Sequence, residues 1–259
     1  MEGSKDLDRY IESMFSKPIP IPLYSKEFPI ILFWSPKSGC TSFLKWFLFQ
    51  NGLLADALKY NAWPHIYRLE VLNRKPAYVE QLKVILSKQE KPVYKLVRNP
   101  YTRAVSSYVA TLKNKVLSNE LQLKTGDGLS FKEFLLHIKK IGVERGKIDL
   151  HIAQQYIIGE KKVINHHIKL EDFIKSLRNI EKDHSLRAAP MNDLIKSPHH
   201  NNMTLKVNEC CSERKFIIGE HEPNYPNYRS FYDKETKELV YEIFKADFIA
   251  YNYSKNLPE

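Results

Sequence analysis

Lys37, Ser38, Gly39, Cys40, Thr41 and Ser42 stand in a row between an apolar run and a stretch of helical spacing. A lysine, a glycine and two hydroxyl side chains at such a junction suit the capture of an anion. The turn from a buried strand into a helix gathers free backbone N–H groups and the positive end of the helix dipole. Gly39 lets the backbone approach an anion closely. Thr41 and Ser42 add hydroxyl donors, and Lys37 adds a charge. The order differs from GxxxxGK[ST], because the first glycine and the late lysine are missing, which disfavours an ordinary nucleoside triphosphate site. Taken alone, the loop also fits a helix capped by Ser38 or Thr41 beside a solvated lysine.

A second stretch repeats the layout. In KLVRNPYTRAVSSYV (95–109), Arg98 closes a buried strand, a basic turn follows, and a helix begins. Ser106 lies eight residues beyond Arg98, about two helical turns. An arginine fork with a hydroxyl from the following helix suits a terminal phosphate monoester. Two anion sites on successive strand ends point to a ligand with two separated phosphate groups, bound at the carboxyl ends of the strands.

These residues need a frame, and the alternation of elements supplies one. Residues 6–15 read as a short amphipathic helix, followed by an extended, proline-rich lead-in, KPIPIPLYSKEFP. Ile30 to Trp34 and KPVYKLV (91–97) are short apolar runs expected of strands buried on both faces. Helices are expected at Thr41–Asn51, 77–88 and about 101–117. Asn51-Gly52 ends the first of these. Ser130 with Glu133 forms a capping box at the start of another. KKVINHHIKLEDF (161–173) reads as strand, short link and helix to about 180. Residues 183–213 are polar and read as a long, mobile loop, here extended to 183–215. Residues 233–253 read as a strongly periodic amphipathic helix. The expected fold class is α/β: a P-loop-like, three-layer α/β/α arrangement with a central parallel sheet, in one domain over residues 1–259.

Composition narrows the function classes. The chain has 259 residues, with 40 Lys and Arg against 30 Asp and Glu, a formal net charge of +10 that implies an anionic partner. Three cysteines, two of them adjacent, make no disulfide framework and suit a reducing compartment. The N-terminus is charged rather than apolar, and no stretch has the ~18 apolar residues of a membrane span. A soluble, cytoplasmic protein with no membrane partner is expected.

PKSGCTSFLKW resembles the 5′-phosphosulfate loop of sulfotransferases, and VRNPYTRAVSSY resembles their 3′-phosphate motif. Three further stretches are similar to the carbohydrate-sulfotransferase branch. They are DLHIAQQYII (149–158), from whose pattern Ile152 and Ala153 depart, HHIKLEDFIKSLRNIE (166–181), and the C-terminal helix with its preceding RSFY. The resemblance spans residues 29 to 253 and implies 3′-phosphoadenosine 5′-phosphosulfate (PAPS) as sulfuryl donor, PAP as product, and no metal. It implies that Lys37 stabilises the sulfate and the departing phosphate oxygen. The 5′ end falls to the loop residues Ser38, Gly39, Cys40, Thr41 and Ser42, and the 3′-phosphate to Arg98 and Ser106. Golgi relatives carry a membrane anchor, so this chain is expected to be a stand-alone, bacterial-type enzyme. The Gly-rich basic C-terminal loop of cytosolic sulfotransferases is missing, and Arg214 and Lys215 could supply its charge.

A hydroxyl acceptor calls for a base of near-neutral pKa. His65, in NAWPHIYRLE, lies between the two phosphate motifs, where the family commonly places its base. Glu70 and His151 are the other candidates, and the plain alternative for His65 is a surface loop histidine beside a proline. The pairs His166-His167 and His199-His200 make poor chelates, because adjacent strand side chains point apart. Trp34 and Trp46 read as core, whereas Trp63 could line an acceptor site. The acceptor implied is a sugar or a small natural product. A P-loop-like kinase or a basic nucleic-acid-binding protein is the rival reading. The first lacks its strand-end aspartate and the second lacks any recognition motif, so no nucleic-acid partner is expected.

Overall fold

The computed structural model describes residues 2–196, 207, 209–220 and 224–258. In chain order the elements are α1 (Glu2–Phe15), β1 (Ile31–Trp34), α2 (Cys40–Gln50), α3 (Leu54–Tyr60), α4 (Pro64–Tyr67), α5 (Tyr78–Ser87), β2 (Val93–Val97), α6 (Pro100–Lys113), α7 (Lys115–Glu120), β3 (Gly128–Leu129), α8 (Phe131–Ile141), β4 (His166–Lys169), α9 (Phe173–Asp183), α10 (Met191–Leu194), β5 (Phe216–Ile217), α11 (Lys234–Ile243) and α12 (Lys245–Ala250). A π-helical turn, Arg68–Leu72, continues α4. The chain divides into two compact units, Met1–Val97 with Ile157–Pro198, and Arg98–Tyr156 with His199–Glu259.

The first unit is built on a parallel sheet of order β1-β2-β4, with Ile31 opposite Val93 and Tyr94 opposite His166. Alternate strand residues point to opposite faces. Leu32, Trp34, Leu96 and Ile168 meet Phe43, Leu44 and Phe47 of α2 and Phe173 and Leu177 of α9. Ile31, Phe33 and Val93 meet Ile11 and Met14 of α1 and Leu82 and Leu86 of α5. The unit is therefore a three-layer α/β/α arrangement, the fold class that the strand–helix alternation predicts. A buried bond from Trp46 Nε1 to Glu181 Oε1, 2.8 Å, pins α2 to α9 and so fixes where the loop after β1 ends.

One strand residue breaks the apolar pattern. Lys95 of β2 is fully buried, and its ammonium lies 2.5 Å from Glu160 Oε2. That oxygen also accepts from the Ile157 N–H at 2.8 Å. Burial pushes the Glu160 carboxyl up, but the Lys95 charge outweighs it and holds the group below the usual carboxylate range.

In the second unit, Tyr108 of α6, Phe131 and Phe134 of α8, Phe216 and Phe231 form an aromatic core with Leu239 and Val240 of α11. The predicted capping box is present: the Glu133 N–H donates to Ser130 Oγ at 3.1 Å, and the Ser130 N–H donates to Glu133 at 2.9 Å. A two-residue antiparallel pair, β3 with β5, has no counterpart in the sequence reading.

Three expected elements differ. The helix expected over about 101–117 stops at Lys113, because Asn114 turns out of the helix and its side chain caps α7 by accepting from the Val116 N–H. The helix expected over 233–253 divides at Phe244 into α11 and α12. The polar segment after 183 is not all loop. α10 lies within it and buries Met191 and Leu194 against the α2 side of the sheet. Much of the rest of that segment, 197–206 and 208 with His199 and His200, lies outside the described residues. Among the described residues no helix is long and apolar enough to cross a membrane, and no cluster of three His, Cys, Asp or Glu could hold a metal ion.

Candidate active site

The loop after β1 is shaped by two residues in left-handed backbone. Lys37 has φ 68° and Gly39 has φ 87°. A non-glycine residue there is strained, by about 1–3 kcal/mol, and such strain gathers at functional sites. Gly39 must lack a side chain for a second reason. A Cβ there would lie 2.5 Å from Cδ1 of Leu170. Ser38, between them, is fully buried, and its hydroxyl donates to the Ser35 carbonyl at 2.5 Å. Ser38 therefore holds the turn closed from inside.

Gly39 is the N-cap of α2 and offers no side chain to its N–H groups. The first turn contains no acidic residue. The first-turn N–H groups of a helix have no carbonyl within it. Here Gly39 supplies no capping oxygen and the turn itself no carboxylate, so Cys40, Thr41 and Ser42 begin a positive helix end with Lys37 just upstream. The Cys40 thiol is pushed up by burial, with Lys37 and Arg68 pulling the other way. It stays a neutral thiol, which suits a small side chain under an anion and not a nucleophile.

His65 is the second group at this loop. It lies on α4, which Pro64 opens at its first turn. Only 6% of the residue is exposed, so it is not the surface loop histidine of the plain alternative. Its Nε2 is 3.2 Å from Thr41 Oγ1. The Trp63 ring, 43% exposed, stands 5.3 Å from the imidazole. Glu70 is exposed and accepts from the Tyr60 hydroxyl at 2.7 Å, a bond that raises the Tyr60 pKa.

Arg98 opens the second unit. Its backbone is bracketed by one side chain: the Arg98 N–H donates to Gln155 Oε1 at 2.9 Å, and Gln155 Nε2 donates to the Arg98 carbonyl at 2.8 Å. Gln155 is itself fixed, because its N–H and that of Tyr156 donate to the buried Asp247 carboxylate at 2.9 and 2.7 Å. The division between α11 and α12 at Phe244 comes just before Asp247, which is fully buried. Arg98 Nε donates to Thr102 Oγ1 at 2.9 Å. Thr102 and Ser106 are four residues apart on α6, on one helix face. Thr102 and Gln155 are the residues that the sequence reading missed. Gln155 lies inside the stretch DLHIAQQYII (149–158), and the i, i+4 spacing of Thr102 and Ser106 is the available signal for the other.

His151 has its Nδ1 2.7 Å from Asp149 Oδ1. Burial raises the Asp149 carboxyl, and the His151 hydrogen bonds more than offset that and hold it low. Lys215, a candidate for binding charge, is engaged by Glu133 at 2.8 Å, and Arg214 lies over the Phe216 ring.

A strand, a strained basic loop whose glycine has no room for a side chain, and a helix without a side-chain N-cap thus meet beside a buried histidine. The model of the sulfotransferase family matches residues 23–254 of this chain. No curated protein and no solved structure matches it significantly. The match runs through both the lysine loop and the Arg98 turn, and on it the chain belongs to the sulfotransferase family.

Proposed function

We propose that the protein transfers a sulfuryl group from PAPS to a hydroxyl or amine of a sugar or small molecule. The observation that carries this reading is the 3.2 Å contact between His65 Nε2 and Thr41 Oγ1. It sets a buried titratable group against the first turn of the helix that the lysine loop opens. PAPS supplies the sulfuryl group when bound. Lys37 puts positive charge where the leaving phosphate oxygen gains negative charge. The N–H groups of Gly39 through Ser42, with the Thr41 and Ser42 hydroxyls, hold the 5′-phosphate. Ser38 keeps the turn closed. Arg98 and Ser106 take the 3′-phosphate, with Thr102 orienting the guanidinium. His65 takes the acceptor proton, ahead of Glu70, which the Tyr60 hydroxyl already engages, and of His151. Trp63, a partly exposed residue beside His65, offers an acceptor ring an aromatic partner.

Thermal denaturation with added ligand tests the donor. Adenosine 3′,5′-bisphosphate at a hundred times its Kd adds about 2.7 kcal/mol of stability. It is expected to raise the melting temperature by several degrees, while ATP with magnesium and duplex DNA leave it unchanged. A shift with ATP–magnesium and none with the bisphosphate would favour a kinase and overturn the proposal.

A further inference from the structure

Arg68 opens the π-helical turn that continues α4. Its carbonyl accepts from the Asn73 N–H at 2.9 Å, the fifth residue on. Such turns are rare inside helices and concentrate at functional sites. Arg68 follows His65 by three residues, so the two share one face of the helical segment. His65 reaches the far end of the lysine loop, at Thr41. Arg68 reaches the near end: its guanidinium carbon lies 5.2 Å from the ring centroid of Trp34, the last residue of β1. A guanidinium at that distance over an indole makes a cation–π contact, which anchors the arginine head beside the loop.

Among the described residues that guanidinium has no carboxylate counter-ion. Its Nε is buried without a hydrogen-bond partner. Burial lowers its pKa, and the groups acting against this are Cys40 and Tyr78, neither of them a carboxylate. Arginine nonetheless stays charged near neutrality. A half-buried, unpaired charge costs stability, and the cost vanishes when an anion arrives. Arg68 and Lys37 both act on the Cys40 thiol, at the start of α2. Both cations therefore lie within electrostatic reach of the start of α2.

We propose that Arg68 is a second cationic arm of the 5′ cradle, and that its planar fork grips oxygens of the donor's 5′-phosphosulfate while Lys37 acts as a point charge. This rests on the reading of the donor as PAPS. The division of labour follows from the side chains: a guanidinium gives two parallel N–H donors to two oxygens, whereas an ammonium follows a single developing charge.

The test compares Arg68→Met and Arg68→Lys with the wild type in calorimetric titrations of adenosine 3′,5′-bisphosphate and of adenosine 3′-monophosphate, which lacks the 5′ anion. Arg68→Met keeps an apolar stem against Trp34. It is expected to weaken the bisphosphate at least tenfold and to change the 3′-monophosphate by less than twofold. Its melting temperature without ligand is expected to equal or exceed that of the wild type, because an unpaired buried charge is gone. Arg68→Lys is expected to show an intermediate loss. Unchanged bisphosphate affinity in Arg68→Met overturns the inference, as does an equal loss for both ligands. If Arg68→Met does not fold, wild-type bisphosphate affinity in Arg68→Lys overturns it. A wild-type protein that binds neither nucleotide defeats the donor reading itself, a result distinct from these.

Discussion

Replacing Gly39 by alanine puts a methyl group 2.5 Å from Cδ1 of Leu170. Carbon atoms rest about 3.5–4.0 Å apart, so the leucine methyl must retreat by about 1 Å. Overpacking of this kind costs about 1–3 kcal/mol, and the low end applies because the obstacle is the tip of a flexible side chain. The backbone adds a separate cost. Gly39 sits at φ 87°, and an L residue there costs about 1–2 kcal/mol. Together these predict a loss of about 2–3 kcal/mol, or roughly 4–12 °C in melting temperature for a chain of this size. Thermal denaturation of Gly39→Ala, Leu170→Ala and the double variant separates the two terms. The double variant is expected to recover about 1 kcal/mol relative to the sum of the singles, since only the collision is relieved. A Gly39→Ala protein with wild-type stability refutes the loop geometry. Full rescue by Leu170→Ala refutes the backbone part.

The loop yields a contrasting prediction at Lys37, also left-handed at φ 68°. Lys37→Gly is expected to match or exceed wild-type stability by up to about 1 kcal/mol, because glycine accepts that conformation, while turnover falls about 10²–10³-fold. Denaturation and a turnover assay on the same sample check both halves. His65→Ala is expected to lower turnover at least tenfold with little change in bisphosphate affinity, and wild-type turnover would remove His65 from the role of base. Gln155→Ala unties both backbone bonds of Arg98, and it is expected to weaken adenosine 3′-monophosphate binding tenfold or more while leaving 5′-AMP binding within twofold, as titration would show. Glu160→Gln removes the carboxylate that faces the buried Lys95 ammonium and is expected to cost about 3–5 kcal/mol by denaturant unfolding. Because the fold lowers the Glu160 pKa, its contribution is complete above the usual carboxylate range and is lost as pH falls below it. A pH series of wild type against Glu160→Gln should converge at the acid end.

What could be read ahead of the structure followed from local rules. Ile31–Trp34 and Val93–Val97 are apolar runs bounded by prolines or polar turns, and only strands buried on both faces suit them. Ser130 and Glu133 declare a helix start by their spacing. What could not be read depends on partners distant in the chain. Lys95 sits in an apolar strand because Glu160, 65 positions on, receives it. The break at Phe244 makes sense once Asp247 is seen to accept from the N–H groups of residues 155 and 156. Pro64 concealed His65: beside a proline the histidine reads as loop, yet proline is well suited to the first turn of a helix, and α4 turns the imidazole inward. Arg68 carried no signal at all, since one arginine in a helical stretch reads as a solvated charge. The role proposed for it rests on Trp34 beneath it and on the lack, among the described residues, of a carboxylate acting on it.

We propose that this chain recognises a nucleotide at both anionic ends, the 5′ end by the Lys37 loop and the 3′ end by Arg98 and Ser106. Calorimetric titration of the wild-type protein with adenosine 3′,5′-bisphosphate, 5′-AMP and 3′-AMP measures this directly. The account predicts that the bisphosphate binds at least tenfold more tightly than either monophosphate. Equal affinity for the bisphosphate and one monophosphate contradicts it.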